Sequence, residues 1–173
     1  MPEKASASRG APGVRRRARE LAFRVLFESE QGNGTISDAW DHAMTEFAPR
    51  DSDSSAREVR KEARTRDDDS SSEALDAEGI AFAHRLVLGF DDKRYDVDQT
   101  LERVIEGWTF GQMSKTDLTV LRLAAFEMMF DTTPHPPVIE VAVRIAKKFG
   151  GEESGKFVNG VLARLKKHLE SNL

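Results

Sequence analysis

The chain has 173 residues, of which 32% are charged and 39% hydrophobic, and its formal net charge is −4. That length suits a single domain with one modest core under a heavily charged surface, and leaves little room for a second, catalytic domain. The absence of cysteine excludes disulfides, thiolate zinc sites and thiol nucleophiles. No apolar run is long enough to span a bilayer and no signal-peptide core opens the chain, so a cytoplasmic protein without a membrane partner is expected.

The charge is unevenly spread. Residues 1–24 carry seven Lys or Arg against two Glu, and residues 144–173 carry seven against three acids, while the stretch between them is strongly acidic. Electrostatic potential is local, decaying over roughly 8 Å at physiological salt, so two basic ends can serve a phosphate backbone despite the negative total.

Residues 1–14, rich in Ala, Ser, Gly and Pro, read as a flexible basic tail. A first amphipathic helix is expected from Arg15, with Ala18, Leu21, Ala22, Val25 and Leu26 at helical spacing until Gly32 and Gly34. Ile36, Ala39, Trp40, Ala43, Met44 and Phe47 mark a second, closed by Pro49. Residues 50–74, dominated by Asp, Ser, Arg and Glu, read as a charged, disordered insertion.

Ile80, Ala83, Leu86 and Val87 before Gly89 predict a third helix, and Tyr95, Leu101, Val104, Ile105 and Trp108 before Gly111 a fourth. Ser114 or Thr116 can cap the fifth, whose Leu118, Leu121, Leu123, Ala124, Ala125, Met128 and Met129 cover more than one face. Cover that broad marks a central, buried helix. Pro137 suits the first turn of a sixth helix carrying Val138, Val141, Ala142, Ile145, Ala146 and Phe149, which Gly150 and Gly151 end. The last carries Phe157, Val161, Leu162, Leu165 and Leu169. The expectation is an all-α, seven-helix bundle.

Catalytic motifs do not emerge. His42, His84, His135 and His168 are scattered without ligand spacing, so neither a metal nor a cofactor is expected. The segment Gly150-Gly151-Glu152-Glu153-Ser154-Gly155-Lys156 has glycines and a lysine, but it follows a helix rather than a strand and places two acids where phosphate would sit. A non-enzymatic, binding role follows.

Two clusters suit RNA. Arg15, Arg16, Arg17 and Arg19 crowd the amino end of the first helix, where partial positive charge disfavours cations unless an anion binds; arginine forks match phosphate oxygens. Lys156-Phe157-Val158-Asn159-Gly160 opens the last helix near Lys147 and Lys148. There a cation can neutralise phosphate, a ring can stack on an unpaired base and an amide can read a base edge. On periodicity alone, Phe157 serves equally well as a core residue.

Taken in order, Arg15 to Glu20 with Ala22 and Leu26, then Leu121-Arg122-Leu123-Ala124 with Glu127, then Ala146-Lys147-Lys148-Phe149-Gly150 running into Ser154 and Lys156-Phe157-Val158-Asn159-Gly160-Val161-Leu162, resemble the NusB family of transcription antitermination factors. The resemblance covers about residues 15–168 and omits the insertion. It implies an RNA-binding helical domain over 15–170, built as two packed three-helix-type subdomains. It implies a factor that pairs with ribosomal protein NusE, binds single-stranded boxA-type RNA of ribosomal RNA transcripts and helps an RNA polymerase antitermination complex resist termination. Carried across by position, the RNA side would use Arg15, Arg16, Arg17, Arg19, Glu153, Lys156 and Phe157. The NusE side would use Phe27, where the family commonly has Tyr, and Asp117. Arg122 and Glu127 would form a buried structural pair bracing the central helix. The alternatives are a helical protein-interaction module whose basic ends bind an acidic partner, and an adaptor in ribosomal RNA processing.

Overall fold

The computed structural model describes residues 12–32, 34–47 and 75–173. Most of the expected tail and the whole 50–74 insertion lie outside the described residues. All the regular structure described is helical: α1 (Pro12–Gln31), α2 (Ile36–Phe47), α3 (Ala77–Val104), a 3₁₀ turn η1 (Phe110–Gln112), α4 (Lys115–Phe130), α5 (His135–Gly150) and α6 (Glu152–Ser171).

The sequence sets most of the boundaries locally. Thr35 and Asp38 close the start of α2 reciprocally: the Asp38 N–H donates to Thr35 Oγ1 at 3.1 Å, and the Thr35 N–H donates to Asp38 Oδ2 at 2.8 Å. The backbone bond, with that of the Thr35 hydroxyl, holds the Asp38 carboxyl below its ordinary pKa. Asp76 caps α3 through the Gly79 N–H, and Ser114 caps α4 through the Asp117 N–H at 3.1 Å. Gly151, at φ +93°, supplies the left-handed turn between α5 and α6, a conformation that suits glycine.

The expected third and fourth helices are in fact a single 28-residue helix, α3, that runs straight through Gly89. This glycine is there for packing: a Cβ on it would lie 2.3 Å from Cζ of Phe126 on α4. Tyr95, placed on the apolar face by periodicity, is 76% exposed. Gly89→Ala should therefore lower stability by about 1 kcal/mol or more, because overpacking of about 1–3 kcal/mol outweighs the gain in helix propensity. A lowered urea midpoint at unchanged m-value would show it.

Cross-helix contacts fix the directions. Arg15 meets Phe82 and Glu30 meets Arg94, so α1 runs parallel to α3. Arg85 meets Asp131 and Asp98 meets Arg122, so α4 returns antiparallel. α2 lies against α1 and reaches α3 through Trp40 and His84; α5 packs on α4 and α6, and α6 touches the end of α3 where Arg164 Nε donates to the Val104 carbonyl at 2.9 Å. Thus α3 and α4 are shared between an α1–α2 side and an α5–α6 side, and one continuous buried cluster runs through both. As its broad apolar cover implies, α4 is central: Val120, Leu121, Leu123, Ala124, Ala125 and Met128 are all buried.

Candidate nucleic-acid interface and partner groove

The arginine run divides by helical phase. Arg15, Arg16 and Arg17 are half-buried around the start of α1, and the Arg15 guanidinium lies 4.1 Å from the centre of the Phe82 ring, a cation–π distance. Arg19, beside the buried Ala18, turns inward. Its fork grips the Glu127 carboxylate, Nε to Oε1 at 2.8 Å and Nη2 to Oε2 at 2.6 Å, with the two side chains only 10% and 2% exposed. Arg19 is therefore committed to the core rather than displayed with the other three.

This also corrects the expected Arg122–Glu127 pair. Residues five apart on a helix point about 140° apart and do not face each other. Arg122 instead forks onto Asp98 of α3, both contacts at 2.9 Å, with Glu30 of α1 3.8 Å away. Glu30 also holds Arg94 at 2.6 Å. Burial opposes the Arg94 charge, but hydrogen bonds and attraction from Glu30 and Asp91 outweigh it and raise its pKa.

The second cluster is built by close helix packing. A Cβ on Gly155 would lie 2.5 Å from Lys147 Cγ, so only glycine lets α6 pass this near α5 without displacing that side chain. Glu152 and Glu153 occupy the first turn of α6, where the helix dipole favours acids. Lys156 projects into solvent, its Nζ 3.4 Å from Glu153 Oε1, and Phe157 is half-buried. The buried glycine and the half-exposed ring together present Lys156 and Phe157 at one edge of the α5–α6 pair.

A bridge links this region to α1. Lys148 Nζ lies 2.8 Å from Glu20 Oε1. On α1, Arg16 and Arg17 stand four and three residues before Glu20 and so share its face. Lys148 thus ties the end of α5, just before the Gly151 turn, to the face of α1 that carries Arg16 and Arg17.

A separate groove of about 410 Å³ opens between α1, α2 and the α4–α5 ends, lined by Phe23, Arg24, Phe27, His42, Thr116 and Phe149 among others. Its floor is aromatic: the Phe23 ring centre is 5.6 Å from that of Phe27 and 5.0 Å from that of Phe149. Phe149 remains 39% exposed, and Arg24 stands 5.6 Å above its ring. His42 and Glu28 meet at 2.8 Å on the rim. Asp117 follows Thr116 at the mouth of α4 and is 9% exposed; its Oδ1 is buried with no hydrogen-bond partner among the described residues. The two candidate partner residues, Phe27 and Asp117, thus sit by one concavity, Phe27 lining it and Asp117 next to a lining residue.

A model of the NusB family matches residues 16–167 of this sequence. The chain belongs to the NusB family. A transcription antitermination protein NusB from Deinococcus deserti is 46% identical over 159 residues, which span 92% of this chain and 84% of the relative. T. maritima NusB has the same fold at a TM-score of 0.68 and 27% identity, over 92% of this chain and 97% of that one. So does a chain in the crystal structure of antitermination factors NusB and NusE in complex with dsRNA, at a TM-score of 0.67 and 20% identity, over 90% and 97%. On this NusB fold, sequence reasoning missed Phe23, Phe149 and His42 as groove residues and Lys148 as the bridge to α1. Phe149 read as one more apolar position of α5, and only its place next to the terminal Gly150 hinted that it could lie at the open end.

Proposed function

We propose that this protein is a non-catalytic antitermination factor that binds single-stranded boxA-type RNA together with a NusE-type ribosomal protein, in the cytoplasm and within an RNA polymerase antitermination complex. Arg15, Arg16, Arg17 and Lys156 meet phosphates, and Phe157 stacks on an unpaired base. Glu153, beside Lys156, competes with phosphate and tunes affinity. Arg19 acts from inside, holding α1 against α4. Phe27 and Asp117 serve the protein partner at the aromatic groove, where the Asp117 oxygen that has no hydrogen-bond partner among the described residues can accept from a donor of that protein.

The observation that most supports this reading is the exposed Lys156 and half-exposed Phe157 at the start of α6, a cation and a ring side by side on a rigid helix. Such a pair offers single-stranded RNA both charge neutralisation and a π face. Fluorescence anisotropy with a boxA-type RNA and a scrambled control, with and without the NusE-type protein and at two salt concentrations, tests it. Selective binding, tightened by the partner and weakened by salt, is expected; equal binding to both RNAs, or none, would leave a protein-interaction module.

Glu153→Gln should tighten RNA binding by a factor of about 2–5, since removing an exposed charge near phosphate is worth up to about 1 kcal/mol. The gain should shrink as salt rises. Weaker binding would show that the carboxylate accepts a hydrogen bond from the RNA.

A further inference from the structure

Trp108 is 54% exposed, an unusual position for the largest apolar side chain. It follows Gly107, whose φ of +77° marks a left-handed turn, and precedes a capped 3₁₀ turn in which the Thr109 N–H donates to Gln112 Oε1 at 3.0 Å. The loop is anchored on both sides, by buried Ile105 at the end of α3 and by partly buried Phe110, 5.6 Å from the Arg122 guanidinium. Arg164 fastens it to α6 through the Val104 carbonyl. A short, well-anchored loop thus holds the indole out in solvent.

Its neighbour is Phe157. The two ring centres are 6.0 Å apart with their planes at 69°, an edge-to-face contact. Such a contact uses the edge of one ring and one face of the other, so at least one face of each ring remains outside it. Were Trp108 simply a cover for Phe157, it would be expected to bury most of its own surface; more than half is left in water.

We infer that Trp108 is a second stacking platform, taking an unpaired RNA base next to the one on Phe157. The inference rests on the RNA-binding reading and extends it to a loop that the arginine and lysine clusters do not include. Because the rings are steeply inclined, bases on the two platforms cannot stack on each other, and the strand must bend between them. Exposed Arg103 and Lys115 flank the loop and can meet the backbone there, while Glu102 and Glu106 limit how closely it approaches.

The sequence holds only two tryptophans, so Trp40→Phe leaves Trp108 as the sole indole reporter. In that full-length variant, adding boxA-type RNA should quench tryptophan emission with the same midpoint as the anisotropy titration. Trp108→Leu keeps an apolar cover on Phe157 but has no π face, and should weaken binding roughly tenfold, with Trp108→Phe recovering most of it. If Trp108→Leu binds RNA as the parent does, or emission is unchanged on binding while Phe157→Ala still weakens it, Trp108 is no platform and the RNA-binding reading stands. If the unaltered chain binds no RNA in the presence of its protein partner, both fall.

Discussion

Arg19→Ala should destabilise the fold by about 3–5 kcal/mol, the largest loss expected from any single change in the arginine run. The magnitude comes from what is left behind: Glu127 is 1% exposed, and without its fork partner it becomes a buried, uncompensated carboxylate. Arg16→Ala, on the half-exposed side of the same helix, should cost about 0.5 kcal/mol or less, as surface changes usually do. Urea unfolding of the two variants makes the comparison, and similar midpoints would show that the Arg19 fork contributes little. Replacing both partners with apolar residues, as in Arg19→Met with Glu127→Leu, should recover most of the loss, because a buried ion pair is often no more stabilising than a well-packed apolar one. In RNA titrations of the folded Arg19→Ala protein, the salt dependence should match the parent, since every cation proposed to meet phosphate is still in place.

The same fork shows where sequence reading reaches its limit. Arg15 to Arg19 form a recognisable run, yet which guanidinium turns inward depends on what α4 presents, and Glu127 is 108 positions away. The resemblance suggested Arg122 and Glu127 as a pair on one helix, whereas the partner of each lies on another helix. The starts of α4 and α5 were legible because caps are local, Ser114 and Pro137 each acting within a turn, whereas α1 begins at Pro12, inside the expected tail, rather than at Arg15. Gly89 was not, since a glycine that ends a helix and one that admits Phe126 look alike until α3 and α4 are packed. Trp108 kept the helical rhythm of Leu101, Val104 and Ile105 on paper, but α3 ends at Val104, and beyond that point the rhythm has no helix to act on. The Phe23, Phe27 and Phe149 groove joins two helices distant in sequence, so only Phe27 was reachable, through family resemblance.

The RNA surface should separate into two parts with different salt behaviour. Arg16→Ala combined with Arg17→Ala removes two of the cations proposed to meet phosphate, and on a single strand each phosphate left without its cation should make the slope of log K against log salt shallower by about 0.7. At low salt the double variant should therefore bind roughly tenfold or more weakly, and the gap should close as salt rises. Phe157→Ala should behave otherwise. Base stacking on an aromatic ring is worth about 1–3 kcal/mol, so its loss should be about 5-fold to 100-fold or more at every salt concentration, with the parental slope. Because Phe157 is half-buried, Phe157→Leu serves as the control for packing: it fills the same space, keeps the helix docked and still lacks a ring. A Leu variant that binds as the parent does would assign Phe157 to the core and leave recognition to the cations alone. A Leu variant as weak as Ala, with an unchanged salt slope, would mean that the ring itself is read by the RNA, and that α6 is docked so closely on α5 in order to hold that ring at the surface.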